Sequence, residues 1–158
     1  MSEAETPGTV AARAAGIPFE VMRTRRARDA EESASLQGIE LRQLLRSIVV
    51  RRGEVDYVFV LVPGGRRIDW AKLRAHLGVR RLSLPDADEA RAATGYERGA
   101  ITPFGSTTAW PVIVDASIDR DKVVAIGGGA HGVNLHVAVP DLLQATGAEV
   151  VDVTAPEP

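Results

Sequence analysis

The chain has 158 residues, of which 45% are hydrophobic, and a formal net charge of −2, which suits one domain with a sizeable core. Its lack of cysteine excludes disulfides, thiolate metal ligands and a thiol nucleophile. The longest apolar run, Tyr57–Pro63, is too short to span a bilayer, and the acidic, polar start resembles no leader peptide, so we expect a cytoplasmic protein without a membrane partner.

The first part of the chain predicts short helices and a strand. In order, we expect a frayed or disordered stretch over residues 1–8, a helix from Pro7 through Ala15 for which Thr6 can supply the cap, a strand over Phe19–Met22 and a helix over Asp29–Leu36 that ends at Gly38. A further helix is predicted from the helical spacing of Leu41, Leu44, Leu45 and Ile48, before the β-branched run Ile48–Val50.

The middle of the chain contains the strongest strand pattern. Tyr57–Val62 is almost continuously apolar, which predicts a buried central strand. After a Pro-Gly-Gly turn, Asp69 caps a helix whose buried face carries Trp70, Leu73 and Leu77 and which Gly78 ends.

The second half predicts more strands than helices. We expect strands over Leu82–Leu84, Val112–Val114, Val123–Ile126, Val133–Val139 and Val150–Val153, helices over Asp86–Ala93 and Pro140–Thr146, and a frayed tail over residues 155–158. The strand over Val133–Val139 alternates apolar and polar residues, so one of its faces is polar.

Arginine is unevenly distributed along the chain. Residues 1–81 carry 15 basic and 10 acidic side chains, whereas residues 82–158 carry 4 and 11. The basic clusters are Arg23, Arg25, Arg26 and Arg28, then Arg51 and Arg52, Arg66 and Arg67, and Arg80 and Arg81. Guanidinium groups bind phosphates bidentately, but a solvated basic surface explains such clusters equally well.

Several common active sites do not fit the sequence. Gly127, Gly129 and Gly132 have dinucleotide-motif spacing, but the residues after them read as a strand and not as the required helix. Neither a P-loop nor a serine-hydrolase elbow occurs. The three histidines have no zinc-ligand spacing, because His131 and His136 fall on opposite faces of a strand. We expect no metal and no cofactor.

Two glycine-rich loops remain, TGYERGAITPFG over residues 94–105 and IGGGAHGVN over residues 126–134. Glycine serves where the backbone turns tightly or a ligand comes close, and from spacing alone the turn is the more common reason. Together the loops suggest one binding site lined by backbone.

These loops, with LVPGGRRIDWAKLRAHLGVRRLSLPDADEA before them and GGGAHGVNLHV in the second, resemble the YbaK/EbsC family of aminoacyl-tRNA deacylases, relatives of the prolyl-tRNA synthetase editing domain. The resemblance implies a single-domain α/β (α+β) fold with a mixed, barrel-like sheet surrounded by helices, over residues 9–154. It also implies hydrolysis of the ester of a mischarged tRNA, most commonly tRNA-Pro carrying Cys, Ala or a similar small amino acid, with prolyl-tRNA synthetase as a possible partner.

The resemblance also implies the site residues. Arg46, Gly99 and His131 would be catalytic, and the substrate would be bound by Thr102, Pro103, Gly127, Gly128, Gly129 and Asn134. The sequence departs from the family at Arg46, where lysine is usual, and at Gly127 and Asn134, where some cysteine-specific members resemble Ser and Asp.

The chemistry implied by the resemblance needs no catalytic triad. An aminoacyl ester is already activated, so backbone N–H groups that stabilise the oxyanion and a positioned water suffice. Two alternatives stay open: a catalytically silent module that binds an aminoacyl-tRNA end or a synthetase, and a binder of small nucleotides or amino acids.

Overall fold

The computed structural model describes residues 5–158 and shows a mixed α+β domain. Its five α-helices within that range are α1 Pro7–Ala14, α2 Ala30–Gln37, α3 Trp70–Leu77, α4 Ala87–Thr94 and α5 Val139–Thr146. The strands of the same residues are β1 Glu20–Arg23, β2 Leu45–Gly53, β3 Asp56–Pro63, β4 Arg66–Ile68, β5 Val112–Asp115, β6 Val123–Ala130, β7 Val133–Ala138, β8 Glu149–Val151 and β9 Thr154–Pro156.

The strands form three sheets, in the orders β2-β3-β5-β8, β1-β7-β6 and β4-β9. The first sheet is mixed, since β2 and β3 are antiparallel while β3, β5 and β8 are parallel. Leu44 and Ala125 form a parallel bridge between the first two sheets. The sheets do not close on themselves among residues 5–158, so the barrel-like arrangement that we expected is wrong. The mixed α+β character is confirmed.

The predicted central strand is confirmed as β3, whose residues from Tyr57 to Pro63 are all buried. Side chains alternate across a strand, so Phe59 and Leu61 pack in one apolar cluster and Val60 and Val62 in another. The first cluster reaches β6, β7 and α5, and the second includes Leu73 of α3. Packing on both faces makes β3 the centre of the core.

The predicted helix boundaries at aspartate and glycine are confirmed for three helices. Asp29, Asp69 and Asp86 each accept a hydrogen bond from the backbone N–H three residues later, which satisfies one of the free donors of the first turn. The glycines that follow these helices adopt the left-handed conformation that favours glycine: Gly38, Gly78 and Gly95.

The helix predicted over Leu41–Ile48 is wrong. Only Leu41–Gln43 is helical, as a single 3-10 turn, and from Leu45 the chain is the strand β2, which pairs along its length with β3. Pairing with a neighbouring strand overrides the helical spacing of the leucines. The strand predicted over Leu82–Leu84 is reduced to one bridge, in which Ser83 pairs with Arg51.

Both ends of the domain are more ordered than expected. Residues 1–4 lie outside the described residues, but Thr6 caps α1 and Gly8 is buried, so the frayed stretch does not extend to residue 8. At the other end, Ala155 and Pro156 belong to β9 and pair with Arg67 and Arg66. The backbone pairing of β9 with β4 explains why residues 155–156 are not a frayed tail.

Candidate active-site cleft

A cleft opens where β2 and β6 separate. The two strands are joined at the parallel bridge between Leu44 and Ala125, and beyond that bridge β2 is an edge strand. By register, Arg46 and Gly127 are the next residues facing each other across the gap. The loop that contains Gly99 lies in this gap, since Gly99 lines the cleft beside both of them.

The cleft has two connected halves, with volumes of about 400 and about 480 Å³. The residues that line both are Leu44, Arg46, Gly99, Gly127 and Asn134. Each volume is within the range of pockets that hold a small molecule. Four of the nine predicted site residues therefore lie at the junction of the two halves.

The two halves differ in chemical character. The first, here called the polar half, is lined by Arg25, Arg26, Asp29, Ser33 and His131 together with backbone. The second, the apolar half, is lined by Leu45, Val49, Pro85, Ala90 and Ile101, with Ser47 and Arg98 as polar side chains in addition to the shared Arg46 and Asn134. A ligand with a charged end and a small uncharged end would match this division.

The two glycine-rich loops meet at Gly99 and His131. Gly99 has φ +92°, and a Cβ atom built on it would lie 2.9 Å from Cε1 of His131. The Nε2 atom of His131 lies 3.1 Å from Oε1 of Glu97, which belongs to the same loop as Gly99. The convergence of the loops on one cleft, predicted from sequence, is thus present in the structure.

The remaining residues of the first loop support the backbone. Thr102 is fully buried, and its Oγ1 accepts a hydrogen bond from the N–H of Phe104 at 3.3 Å. A Cβ atom on Gly127 would lie 3.4 Å from the carbonyl oxygen of Ile101, so only a small residue fits against the loop there. Neither Thr102 nor Pro103 is among the residues that line the two halves of the cleft.

The middle glycines of the second loop face another part of the molecule. The carbonyl oxygen of Gly128 accepts a hydrogen bond from Oγ1 of Thr6, and a Cβ atom on Gly8 would lie 2.4 Å from that oxygen. Gly129 has φ +92° and lies against Gly8 and the hydroxyl of Tyr96. Gly128 and Gly129 therefore hold α1 against β6, and the structure does not bring them into the cleft with Gly127.

Arg46 lies at the cleft, with its guanidinium partly engaged. Its Nη2 donates a hydrogen bond to the carbonyl oxygen of Arg66 at 2.7 Å and lies 3.7 Å from Oε1 of Glu157. The side chain is 42% exposed. Arg66 and Glu157 line neither half of the cleft, so the guanidinium is held at the margin of the cleft, towards β4.

The polar face predicted for the strand after the second loop is confirmed on β7. Asn134 lines both halves of the cleft, and His136, two residues on, lies 2.9 Å from Oε1 of Gln37. Burial lowers the pKa of His136, which favours the neutral ring, while Glu20 opposes this shift. Because His136 is paired with Gln37 and lines neither half of the cleft, Asn134 is the polar side chain of this face that a ligand in the cleft can contact.

Most of the chain, including the cleft, matches a known protein family. The model of the aminoacyl-tRNA editing domain matches residues 24–145, which include β2, both loops and all the residues that line the cleft. The chain belongs to the aminoacyl-tRNA editing domain family. This confirms the resemblance inferred from the two loops.

Relatives of this editing domain occur both alone and within larger enzymes. A candidate Cys-tRNA(Pro)/Cys-tRNA(Cys) deacylase, EbsC of Enterococcus faecalis, is 23% identical over 128 residues, which are 81% of this chain and 78% of EbsC. The proline–tRNA ligase of Thermosipho melanesiensis is 29% identical over 121 residues, which are 75% of this chain and 21% of the ligase. The chain thus spans about a fifth of that ligase.

A solved structure has the same fold as this chain. The crystal structure of a candidate trans-editing enzyme for prolyl-tRNA synthetase superimposes with a TM-score of 0.87 and 26% identity, over 97% of this chain and 99% of that one. The fold of the whole editing domain is therefore shared along almost its entire length.

Two cleft residues, Ser47 and Arg98, were not predicted from the sequence, and a third, Arg26, was named only as a member of a basic cluster. Ser47 lines the apolar half, and its buried Oγ has no hydrogen-bond partner within residues 5–158. Arg26 and Arg98 line the polar and apolar halves, and neither forms an ion pair with another described residue. Reading residues 45–49 as a strand would have placed Ser47 on the face of Leu45 and Val49.

Proposed function

We propose that this protein hydrolyses the ester bond between a wrongly attached amino acid and the 3′ end of tRNA. The observation that carries the proposal is the meeting of Gly99 and His131, from two distant loops, at a cleft between Arg46 and Asn134. Membership of the aminoacyl-tRNA editing domain family and the deacylase and trans-editing names of the relatives support it.

The division of the cleft suggests how the substrate binds. The terminal adenosine and its phosphate would occupy the polar half, which Arg25, Arg26 and Arg46 help to line. In the free protein Arg25 pairs with Glu32 and Arg46 lies near Glu157, so a phosphate would compete with these carboxylates. The amino-acid side chain would occupy the apolar half, against Leu45, Val49 and Ile101. The ester then lies at the junction, beside Gly99.

The backbone of Gly99 is suited to stabilise the reaction. Its N–H has no hydrogen-bond partner among the described residues, whereas the N–H of Ala100 is bound to the carbonyl oxygen of Glu97 at 3.0 Å. A free N–H beside the ester carbonyl stabilises the oxyanion that forms when water attacks, an effect that is commonly worth about 3 kcal/mol. The products are the free amino acid and the tRNA with its terminal hydroxyl.

The water nucleophile has two candidate partners. The vicinal hydroxyl of the terminal ribose can bind it, in which case the substrate assists its own hydrolysis. His131 can position it as well, because Glu97 orients the ring on the Nε2 side and leaves Nδ1 on the side of Gly99. The proposed substrate is tRNA-Pro that carries Cys, Ala or a similar small amino acid, with prolyl-tRNA synthetase as the partner that releases it.

This function is tested by incubating the pure protein with tRNA that is charged with Ala, Cys or Ser. Each amino acid is tested both on tRNA-Pro and on its own cognate tRNA. We expect release of the amino acid with the tRNA chain intact, fastest for one of the tRNA-Pro substrates. Binding of the charged tRNA without release would instead identify a catalytically silent module. No binding and no release with any of these substrates would contradict the proposed function.

Replacing Arg46 with alanine should lower kcat/KM for ester hydrolysis at least tenfold. In the proposed complex the guanidinium turns from Arg66 and Glu157 to a phosphate of the terminal nucleotide, and the variant loses that contact. The contacts that it gives up within the protein are partly exposed and therefore weak. The matched control is Arg42→Ala, an exposed arginine outside the cleft. Equal turnover of the two variants would remove Arg46 from the site.

Replacing Ser47 with alanine should lower kcat/KM about tenfold without lowering the melting temperature. A buried hydroxyl without a partner contributes nothing to stability, so its removal is neutral or slightly stabilising for the free protein. With a substrate bound, the same hydroxyl would pair with the amino-acid or ester group in the apolar half. Unchanged kinetics with each mischarged tRNA would show that the hydroxyl has no ligand partner.

A further inference from the structure

A second concave surface lies outside the cleft and is strongly basic. It is a groove of about 590 Å³ lined by the end of β2, the last turn of α3 and the segment that follows α3. Its arginines, here called the arginine groove, are Arg51, Arg52, Arg74, Arg80 and Arg81. They come from two of the sequence clusters and one helix, and the fold brings them together.

Most of this charge is not neutralised by the protein. Arg52 pairs with Asp56 at 3.0 Å, and Nε of Arg51 lies 3.6 Å from Glu89. The other three, Arg74, Arg80 and Arg81, form no ion pair with any residue from 5 to 158, and the acidic residue in the lining is Glu54. The groove therefore presents several guanidinium groups to one bound anion or to a row of them.

The backbone around the groove is held in place. Arg51 and Ser83 exchange two backbone hydrogen bonds, of 2.8 and 3.1 Å, which fix the segment after α3 to the edge of β2. Gly78 ends α3 in the left-handed conformation and turns the chain back towards β2. A solvated basic face would not need arginines from three elements to point into one concave surface.

The arginine groove is connected to the cleft by one short segment. Ser83 lines the groove, whereas the next two residues, Leu84 and Pro85, line the apolar half of the cleft. Two residues of extended chain span about 7 Å. One strand of a DNA duplex carries a phosphate about every 3.4 Å of helix axis, so a nucleic acid strand whose end occupies the cleft brings phosphates within a few nucleotides of that end to the groove.

We propose that the arginine groove binds the phosphodiester backbone of the tRNA acceptor end, in the nucleotides next to the charged 3′ adenosine, while that adenosine lies in the cleft. This inference rests on the proposed function for the orientation of the tRNA, but not for the binding of RNA itself. Phosphate contacts of this kind fix register without reading bases, so the groove would strengthen binding of any acceptor end and leave the choice of amino acid to the cleft.

The test compares two variants with the same loss of charge. In Arg74→Gln/Arg80→Gln/Arg81→Gln the groove loses its three unpaired arginines, and in the control Arg67→Gln/Arg120→Gln/Lys122→Gln three exposed basic residues elsewhere are removed. The probe is an uncharged RNA minihelix with the acceptor-stem sequence of tRNA-Pro, and the dissociation constant is measured between 50 and 200 mM salt, a range chosen because phosphate contacts respond strongly there.

We expect the groove variant to bind the minihelix at least tenfold more weakly and with a salt slope about two units smaller than the wild type, whereas the control keeps both values. The double variant Arg80→Gln/Arg81→Gln, which alters exposed residues after α3, should show the same direction if the triple variant unfolds. Equal affinity and slope in the groove variants and the wild type would overturn the proposal, as would a wild type that binds no RNA.

A second substrate separates this inference from the proposed function. An aminoacyl ester of adenosine alone reaches the cleft and has no neighbouring phosphates for the groove, so we expect the groove variant to hydrolyse it at the wild-type rate while its kcat/KM on the charged minihelix falls at least tenfold. Loss of RNA binding in the groove variant without hydrolysis by any form would support the groove and contradict the hydrolase. Hydrolysis of the charged minihelix at the same rate by the groove variant and the wild type would support the hydrolase and contradict the groove.

Discussion

Replacing Gly99 with alanine should lower kcat/KM for ester hydrolysis at least a hundredfold. At φ +92° an alanine is strained by roughly 1–2 kcal/mol, so the loop relaxes and moves its free N–H away from the ester. The added Cβ atom would also lie 2.9 Å from Cε1 of His131 and displace that ring. Steady-state kinetics on the mischarged tRNA that the wild type cleaves fastest measure the change.

The control for this substitution is Gly147→Ala. Gly147 has φ +65°, so alanine is strained there too, but a Cβ atom would meet nothing within 4 Å and the residue ends α5 outside the cleft. We expect the two variants to lose a similar amount of stability and only Gly99→Ala to lose activity. A Gly99→Ala enzyme with wild-type kcat/KM would show that no oxyanion is bound by this loop.

Local patterns in the sequence predicted most of the elements, because the physical cause of each was local. A helix that begins at a capping aspartate and ends at a left-handed glycine, such as α3 between Asp69 and Gly78, needs no tertiary information. The same holds for β3, where the apolar run itself shows that both faces of the strand are covered.

The region before Arg46 could not be predicted in this way. The spacing of its leucines fits one face of a helix, and it also fits a short turn followed by a strand. The pairing of β2 with β3, which the spacing does not show, selects the strand. The consequence for the site is direct, since the predicted helix gave Ser47 no role. As a strand, β2 places Ser47, next to Arg46, among the residues that line the cleft.

The glycines of the second loop show the same limit at the site. Sequence resemblance treats Gly127, Gly128 and Gly129 as one element, but successive residues of a strand face opposite sides. Gly127 lies at the cleft, while the carbonyl oxygen of Gly128 accepts the hydrogen bond from Thr6 and lies close to Gly8, whose lack of a side chain permits the contact. Which glycine serves the ligand and which the packing of α1 depends on strand register, which spacing alone does not give.

Asp115, at the end of β5, is the centre of a buried polar cluster away from the cleft. It is 1% exposed, and its carboxylate accepts hydrogen bonds from the N–H of Val153 at 3.0 Å and from the N–H of Ser117 at 3.0 Å. The Oγ of Ser117 also donates to it, and Nε of Arg66 lies 3.6 Å away. These contacts tie β5 to the residues that lead into β9.

Replacing Asp115 with alanine should destabilise the protein by about 3 kcal/mol, because it leaves the buried N–H of Val153 without an acceptor and Arg66 without its carboxylate. For a domain of this size we expect a fall in melting temperature of roughly 6–12 °C by calorimetry. Asp119→Ala, an exposed aspartate four residues later, is the control and should change little. Equal melting temperatures for the two variants would show that the cluster contributes no stability.

The stability contributed by Asp115 should also depend on pH with a definite sign. Burial alone would raise the pKa of its carboxyl group, but the hydrogen bonds from Ser117 and Val153 outweigh burial and hold the pKa below its ordinary value of 3.8. The unfolded chain therefore takes up the proton first as the pH falls, so this stabilisation is complete above the unfolded pKa and is lost as the pH drops through the lower, folded one.

Asp115→Asn keeps an acceptor for Val153 but has no charge to titrate. We expect its deficit in melting temperature to be full at pH 7 and to shrink as the pH is lowered below 3.8, whereas a deficit that is constant with pH would show that the charge of Asp115 does not stabilise the fold.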